Sequence, residues 1–258
     1  MIRPEILYED RDLVVVKKPA GTDSQESRGS GQDMVSILKN YRISTELSTQ
    51  GGGKAAPPYI AVVHRLDRQV SGVMVYAKTK AAAAHLSKQV QDGRMEKTYL
   101  AAVCGKPVDR GGTFVDYLWK DGKNNVSRVV DKSHPEAKYA ELSWELLESI
   151  PEGLSGEPSG KGGEDGCISL IRIHLKTGRH HQIRVQFSSR RLPLWGDVKY
   201  NPAFSGKRSE GPALCAAELS FVHPKTGKRM IFSILPEHSA FRVFPMLQGQ
   251  SGSAVGDC

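Results

Sequence analysis

His64-Arg65-Leu66-Asp67-Arg68-Gln69-Val70-Ser71-Gly72 runs directly into Val73-Met74-Val75-Tyr76, a charged stretch set against a β-branched strand signal. A second strand signal, Tyr59 to Val63, precedes it, so the charged stretch reads as a tight loop at a sheet edge. Asp67 stands between two arginines in sequence, and guanidinium groups within reach hold a carboxylate ionised. A string of this kind is more often a solvated surface ion cluster than a site, and the stretch alone leaves both meanings open.

Strand signals continue outward in both directions. Asp12 to Lys17 is a short β-branched run stopped by Pro19 and Gly21, and Tyr99 to Val103 is another strand candidate. Ile168 to Leu175 alternates, with Ile171, Ile173 and Leu175 on one face. Ala217 to Val222 and Arg229 to Ile234 flank HPKTGK, which reads as a hairpin. Helical signals are fewer. Asp33 is placed to cap a helix carrying Met34, Val35, Leu38 and Tyr41, and Lys80 to Gln91 has helical apolar spacing closed by Gly93. His181 to Ser188 fits either period. More strands than helices, without a βαβ rhythm, predicts an α+β fold: a single domain on a mixed, largely antiparallel sheet flanked by helices and loops.

The expected organisation is one domain over residues 1–240 with Gly-rich surface loops near 46–58 and 151–166, then a disordered tail over 241–258. The 258 residues carry a formal net charge of +8, which fits a polyanionic partner as well as an ordinary basic enzyme. Four cysteines form no CxxC pair, so free thiols in a reducing, cytoplasmic setting are expected. The start lacks the apolar run of a signal peptide, and no stretch approaches the roughly 18 apolar residues of a membrane span.

Three further segments carry candidate chemistry. Lys97-Thr98-Tyr99-Leu100-Ala101 places a tyrosine in a strand, which by itself is ordinary packing. Arg179, His180, His181, Gln182 and Arg184 gather beside Gly178, a density that suits phosphate contact or a solvated basic turn equally. No carboxylate lies at metal-ligand spacing from the two histidines, so no metal is expected. Leu192-Pro193-Leu194-Trp195-Gly196-Asp197, with Tyr200, reads as a turn around a packed tryptophan.

Taken in order, HRLDRQVSGVMVYAKT, EKTYLAAVCG, LKTGRHHQIRVQF and PLWGDVKY resemble the signatures of the RluA-type family of RNA pseudouridine synthases. The opening ILYEDRDLVVVKKPAGT and the closing LSFVHPKTGKRMIFSILP are similar to the family's first strand and last hairpin, so the resemblance runs from about Ile6 to Pro236. Val70, Gln69 and His180 depart from it: the family commonly has Thr, an acidic residue, and a small Thr or Pro there.

The resemblance implies isomerisation of uridine to pseudouridine in structured RNA, ribosomal or transfer, without a cofactor. It implies Asp67 as the attacking carboxylate, Arg184 as its charge partner, and Tyr99 stacking on the flipped uracil and aiding loss of the C5 proton. Arg65, Arg68, Arg179, His181 and Gln182 are the expected RNA-binding residues. The small S4 RNA-binding domain of some relatives is not expected, so RNA grip is assigned to the catalytic domain. Neither a membrane nor an obligate protein partner is implied. Two other classes remain: a catalytically silent RNA-binding or RNA-chaperone protein of the same fold, which would not need Asp67, and a metal-independent nuclease using His180 or His181.

Overall fold

A computed structural model describes residues 3–26, 32–49, 58–151 and 166–248. In chain order the elements are β1 (Glu5–Glu9), β2 (Leu13–Lys18), α1 (Met34–Thr49), β3 (Ala61–Val62), β4 (Ser71–Ala77), α2 (Lys80–Gln91), β5 (Glu96–Cys104), β6 (Gly111–Asp121), β7 (Val126–Val130), β8 (Lys138–Pro151), β9 (Cys167–Leu175), α3 (Gln182–Ser188), β10 (Leu214–Val222), β11 (Arg229–Ser233) and α4 (Pro245–Gln248). The described chain falls into two compact units. One holds the residues up to Glu96 with Glu218–Ile234; the other holds Lys97–Ala217 and the residues from Leu235 onward.

In the first unit β2 pairs antiparallel with β1 and β4, and the short β3 adds to β4. The hairpin β10–β11 pairs antiparallel from Glu218–Ser233 to Val222–Arg229. Alternate residues Leu13, Val15, Val73, Val75 and Ala77 meet Ala82 and Leu86 of α2 and Leu219 and Phe221 of β10 in one buried cluster. The spacing that predicts α2 is therefore the spacing that fills this core. Thr79 caps α2 by accepting the Ala82 N–H, and Gly93 follows with φ +70°. Asp33 caps α1, accepting the Ser36 N–H at 3.0 Å.

Gln89 joins α2 to the hairpin without being part of the sheet. Its amide is fully buried, donating to the Val222 carbonyl at 2.7 Å and accepting the Val222 N–H at 2.8 Å. That exchange of both bonds imitates a strand neighbour.

The second unit is a five-strand antiparallel sheet in the order β5-β9-β8-β6-β7. A bulge between Leu146 and Glu148 shifts the β8–β9 register. Helix α3 lies on β6, where Phe114, Trp144 and Phe187 pack with centroids 5.0–6.2 Å apart. Every residue of α3 from Gln182 to Phe187 is buried. In a short helix buried all round, Gln182, Arg184 and Gln186 alternate with Ile183, Val185 and Phe187, so no single apolar stripe marks the helical period in sequence.

Two sequence expectations change and a third lies mostly outside the described residues. Helix α1 continues to Thr49, so the expected loop at 46–58 begins inside a helix; residues 50–57 lie outside the described residues. Most of the expected loop at 151–166, residues 152–165, also lies outside them. The tail does not start at 241: Phe241 and Phe244 are buried and α4 follows, because two aromatic side chains gain more from packing than from solvent. Residues 249–258 are outside the described part.

Replacing Gln89 with Leu removes the side-chain partners of the part-buried Val222 carbonyl and N–H. Urea unfolding should show a loss of about 2–4 kcal/mol, while Lys88→Gln on the exposed side of α2 should change stability little.

Candidate active site

The first unit carries the loop with Asp67, Arg65 and Arg68. Asp67 is half-buried and both arginines are exposed. The loop is a turn closed by the Val70 N–H donating to the Asp67 carbonyl at 3.0 Å. Its shape is imposed by the segment after β2. Ser24 Oγ accepts the Leu66 N–H at 3.0 Å and donates to the Leu66 carbonyl at 2.9 Å. Gly21, with φ +84°, donates its N–H to the Arg68 carbonyl, and Arg68 Nε returns a bond to the Gly21 carbonyl at 3.0 Å. On the inner side, the ring Nε2 of buried His64 accepts the Val75 N–H at 3.2 Å, so the first residue of the motif is an anchor.

Lys18 holds this arrangement from beneath. It is 0% exposed, and its ammonium donates to the carbonyls of Pro19, Thr22 and Arg68 at 2.8–3.1 Å. Three donors meet three acceptors, which is what a buried ammonium requires. Burial pushes its pKa down to about 8, against the attraction of Asp23 and Asp67, which favours the charged form. Lys18 is thus both a strut for the Asp67 loop and a positive charge near that carboxylate.

The second unit carries Tyr99, Arg184 and the basic turn. Tyr99 is buried on β5 opposite Ile173 of β9. Arg184 is buried in α3 and makes a forked pair with Asp197, Nε to Oδ2 and Nη2 to Oδ1, both at 2.7 Å. The Asp197 side chain is fully buried and also accepts the N–H groups of Lys199 and Tyr200. The carboxylate therefore fixes the guanidinium and shapes the turn after it at once. The preceding Gly196 has φ +74°, and a Cβ there would stand 2.2 Å from the Gly211 carbonyl oxygen, so only glycine fits.

From that turn Tyr200 reaches back to the basic segment. Its hydroxyl accepts the Ser127 N–H at 2.6 Å and lies 2.8 Å from His181 Nδ1. The contact suits a neutral His181, with Nδ1 either accepting the hydroxyl hydrogen or donating to the oxygen's other lone pair. The electrostatics agree. Burial, with Arg184, His180, Lys199 and Lys120 nearby, pushes the His181 pKa down to about 2. His181 also takes the left-handed backbone, φ +52°, that starts α3.

The expected RNA contacts divide on this geometry. Arg65, Arg68 and Arg179 are exposed. Gln182 is not available: its buried amide accepts from Thr177 Oγ1 and the Arg179 N–H and donates to the Glu141 carbonyl, tying the turn to β8. His181 is likewise buried and engaged with Tyr200, so it shapes the site from within. The carboxylate given to Arg184 inside its own unit is Asp197, a residue that reads in sequence only as part of a turn. Its signal is the Gly-Asp pair before Tyr200, which sequence alone does not connect to Arg184. Among the described residues no group of three or more His, Cys, Asp or Glu is placed to hold a metal ion, and no helix is long and apolar enough to cross a membrane.

Residues 12–189 match the family model described as RNA pseudouridylate synthase. The chain is 31% identical over 250 residues to the ribosomal large subunit pseudouridine synthase D of Zymomonas mobilis, covering 94% of this chain and 72% of that protein. It is also 31% identical over 228 residues to an uncharacterized RNA pseudouridine synthase of Mycoplasma pneumoniae, covering 88% of this chain and 65% of the relative. The fold is that of human RNA pseudouridylate synthase domain-containing protein 4, with a TM-score of 0.69 at 19% identity over 95% of this chain and 93% of that one.

An unfolded histidine protonates near 6.5, whereas folded His181 resists protonation down to about 2. Between those values the unfolded chain binds more protons, so stability falls as pH drops from 7 to 5, by up to ~2 kcal/mol. Urea denaturation at both pH values should show a shallower loss in His181→Gln than in the wild type.

Proposed function

Because this chain belongs to the RluA-type RNA pseudouridylate synthase family, we propose that it isomerises uridine to pseudouridine in structured RNA, with Asp67 as the attacking carboxylate. The observation that carries the reading is the family match over residues 12–189; Asp67, Tyr99 and Arg184, which the resemblance marks, fall within that span. Ribosomal RNA is the first substrate to test, because it is the one named for the Zymomonas relative; transfer RNA is the second.

The reaction breaks the bond from uracil N1 to ribose C1′, turns the base and rejoins it through C5. The C5 proton leaves and N1, freed from the sugar, takes up a proton, so atoms and charge balance within one nucleotide. A carboxylate suits the first step because it can bond to carbon or stabilise positive charge at C1′. The target base must leave its stack to be reached, so the protein needs a loop that keeps its shape while RNA rearranges. The tie from Lys18 and Ser24 to the Asp67 loop supports that role.

Tyr99 is proposed to stack on the extruded uracil, an interaction worth roughly 1–3 kcal/mol per base, and to assist removal of the C5 proton. Arg184 is proposed to supply the fixed positive charge that keeps the reacting carboxylate anionic. Its forked bond to Asp197 supports this, since a guanidinium locked by one edge cannot drift.

The test is to delete the gene, map pseudouridines in ribosomal and transfer RNA, and restore with wild type or Asp67→Asn. One missing site restored only by the wild type is expected. Purified Asp67→Asn should be slower by on the order of 10³-fold or more, about 4 kcal/mol of barrier. Restoration by Asp67→Asn, or no lost site, overturns the proposal in favour of a binding protein of the same fold. Tyr99→Phe should bind RNA normally and release the C5 proton slowly, as followed by tritium exchange from C5-labelled RNA; wild-type release would remove the acid–base role.

A further inference from the structure

Strand β5 carries a cation on the face that bears Tyr99. Side chains alternate along a strand, so Lys97 and Tyr99 leave β5 on one face, about 7 Å apart along the chain. The ladder shows what else lines that face. Tyr99 stands opposite Ile173 of β9, which stands opposite Trp144 of β8, and Leu175 of β9 stands opposite Leu142 of β8. Ile173, Leu142 and Trp144 are buried, and Leu175 is half-buried. Each of these neighbours is aliphatic or aromatic, and none offers an anion.

Lys97 is itself half-buried, and its ammonium makes no hydrogen bond or ion pair with any described residue. Lys18 is the contrast: it too is drawn out of water, but three carbonyls receive its protons. Burial pushes the Lys97 pKa below the ordinary lysine value, with no opposing charge to restore it. An ammonium taken from water without a partner costs stability. The packing of β5 does not need that charge, since an apolar stem of similar length covers the same surface. A cation kept in this state, two residues from the tyrosine proposed to hold the base, is explained by a partner that arrives with the substrate.

The chemistry supplies such a partner. When N1 parts from C1′, the bonding pair stays with the base, and the negative charge spreads over N1, O2 and O4. We propose that Lys97 contacts the extruded uracil, donating an ammonium N–H to a carbonyl oxygen of the base and stabilising the anion that N1–C1′ cleavage produces. The inference rests on the reading that uridine is isomerised with its base on Tyr99. The lysine keeps its proton throughout: the pair left on the base forms the new bond from C5 to C1′, C5 then loses its proton, and N1 takes one up. A hydrogen bond from an ammonium is stronger to an anion than to a neutral carbonyl, so the contact tightens as the bond breaks. It therefore raises the rate more than it raises affinity.

The test separates rate from binding and varies the leaving base. The organism's ribosomal and transfer RNAs are transcribed in vitro with uridine or with 5-fluorouridine. Rearranged nucleosides are followed under single turnover by digestion and chromatography. Lys97→Met should slow rearrangement of uridine on the order of 10²-fold, with the RNA Kd within about threefold of the wild type. Fluorine withdraws electrons, so the 5-fluorouracil anion needs less help, and there the slowing should shrink by about tenfold. Lys97→Arg keeps the charge and should recover part of the rate. The melting temperature of Lys97→Met should equal or exceed the wild type's, because an unmatched ammonium is gone.

An unchanged rate in Lys97→Met overturns the proposal. So does equal slowing on the two bases, which marks Lys97 as part of the fold alone. A rise in Kd that accounts for the whole loss of rate overturns it in favour of a backbone-phosphate contact. The activity reading fails by a different result: a wild-type protein that rearranges uridine in neither RNA loses the enzyme, and this inference with it.

Discussion

A guanidinium buried against a buried carboxylate is costly unless both are fully matched, and the Arg184–Asp197 pair meets that condition through geometry. The fork engages one edge of the guanidinium and both carboxylate oxygens, and the Lys199 and Tyr200 N–H groups add further donors to Asp197. Removing either partner would leave an uncompensated charge inside the protein, which is strongly destabilising. The pair therefore constrains more than itself. It fixes the turn that sends Tyr200 to His181 and Ser127, and so fixes the start of α3 and the β6–β7 turn together.

The loop bearing Asp67 is held by a different device with the same logic. A lysine ammonium replaces its lost water with three carbonyls, and one of those carbonyls belongs to the loop. Serine 24 adds a reciprocal pair of bonds to Leu66. Loops of this polarity are usually mobile; here the donors that immobilise it are Lys18 at the end of β2 and Gly21 and Ser24 after it, residues far earlier in the chain. Each unit thus carries its own rigid polar element, built around one buried cation.

Much of this is readable in the sequence, and the unreadable parts share a cause. Helix α2 and the strands β2, β4, β5, β9 and β10 follow from apolar spacing because one face of each meets a core. The hairpin β10–β11 follows from its turn residues. Strands β6, β7 and β8 escape, since Tyr117, Trp119 and Tyr139 lie on a partly exposed face and the alternation is blurred by charged neighbours such as Glu141 and Arg128. At the site, motif order marks Asp67, Tyr99 and Arg184 by resemblance, but periodicity says nothing of Asp197. Nor does it show that Gln182 faces inward, because an amide in a basic string looks the same whether it meets RNA or Glu141. Long-range polar partnerships have no period to read.

The near-neutral poise of Lys18 changes how an alkaline limb in a rate profile would be read. Such a limb is ordinarily credited to the acid–base group touching the substrate. Here burial pushes the pKa of a strut with no exposed surface down to about 8. Since an unfolded lysine holds that proton until about 10.4, alkalinity removes a charge beside Asp67 while linkage favours the folded chain. A kinetic titration around that point would track the chassis beneath the Asp67 loop, with the fold intact, before it reported on any tyrosine.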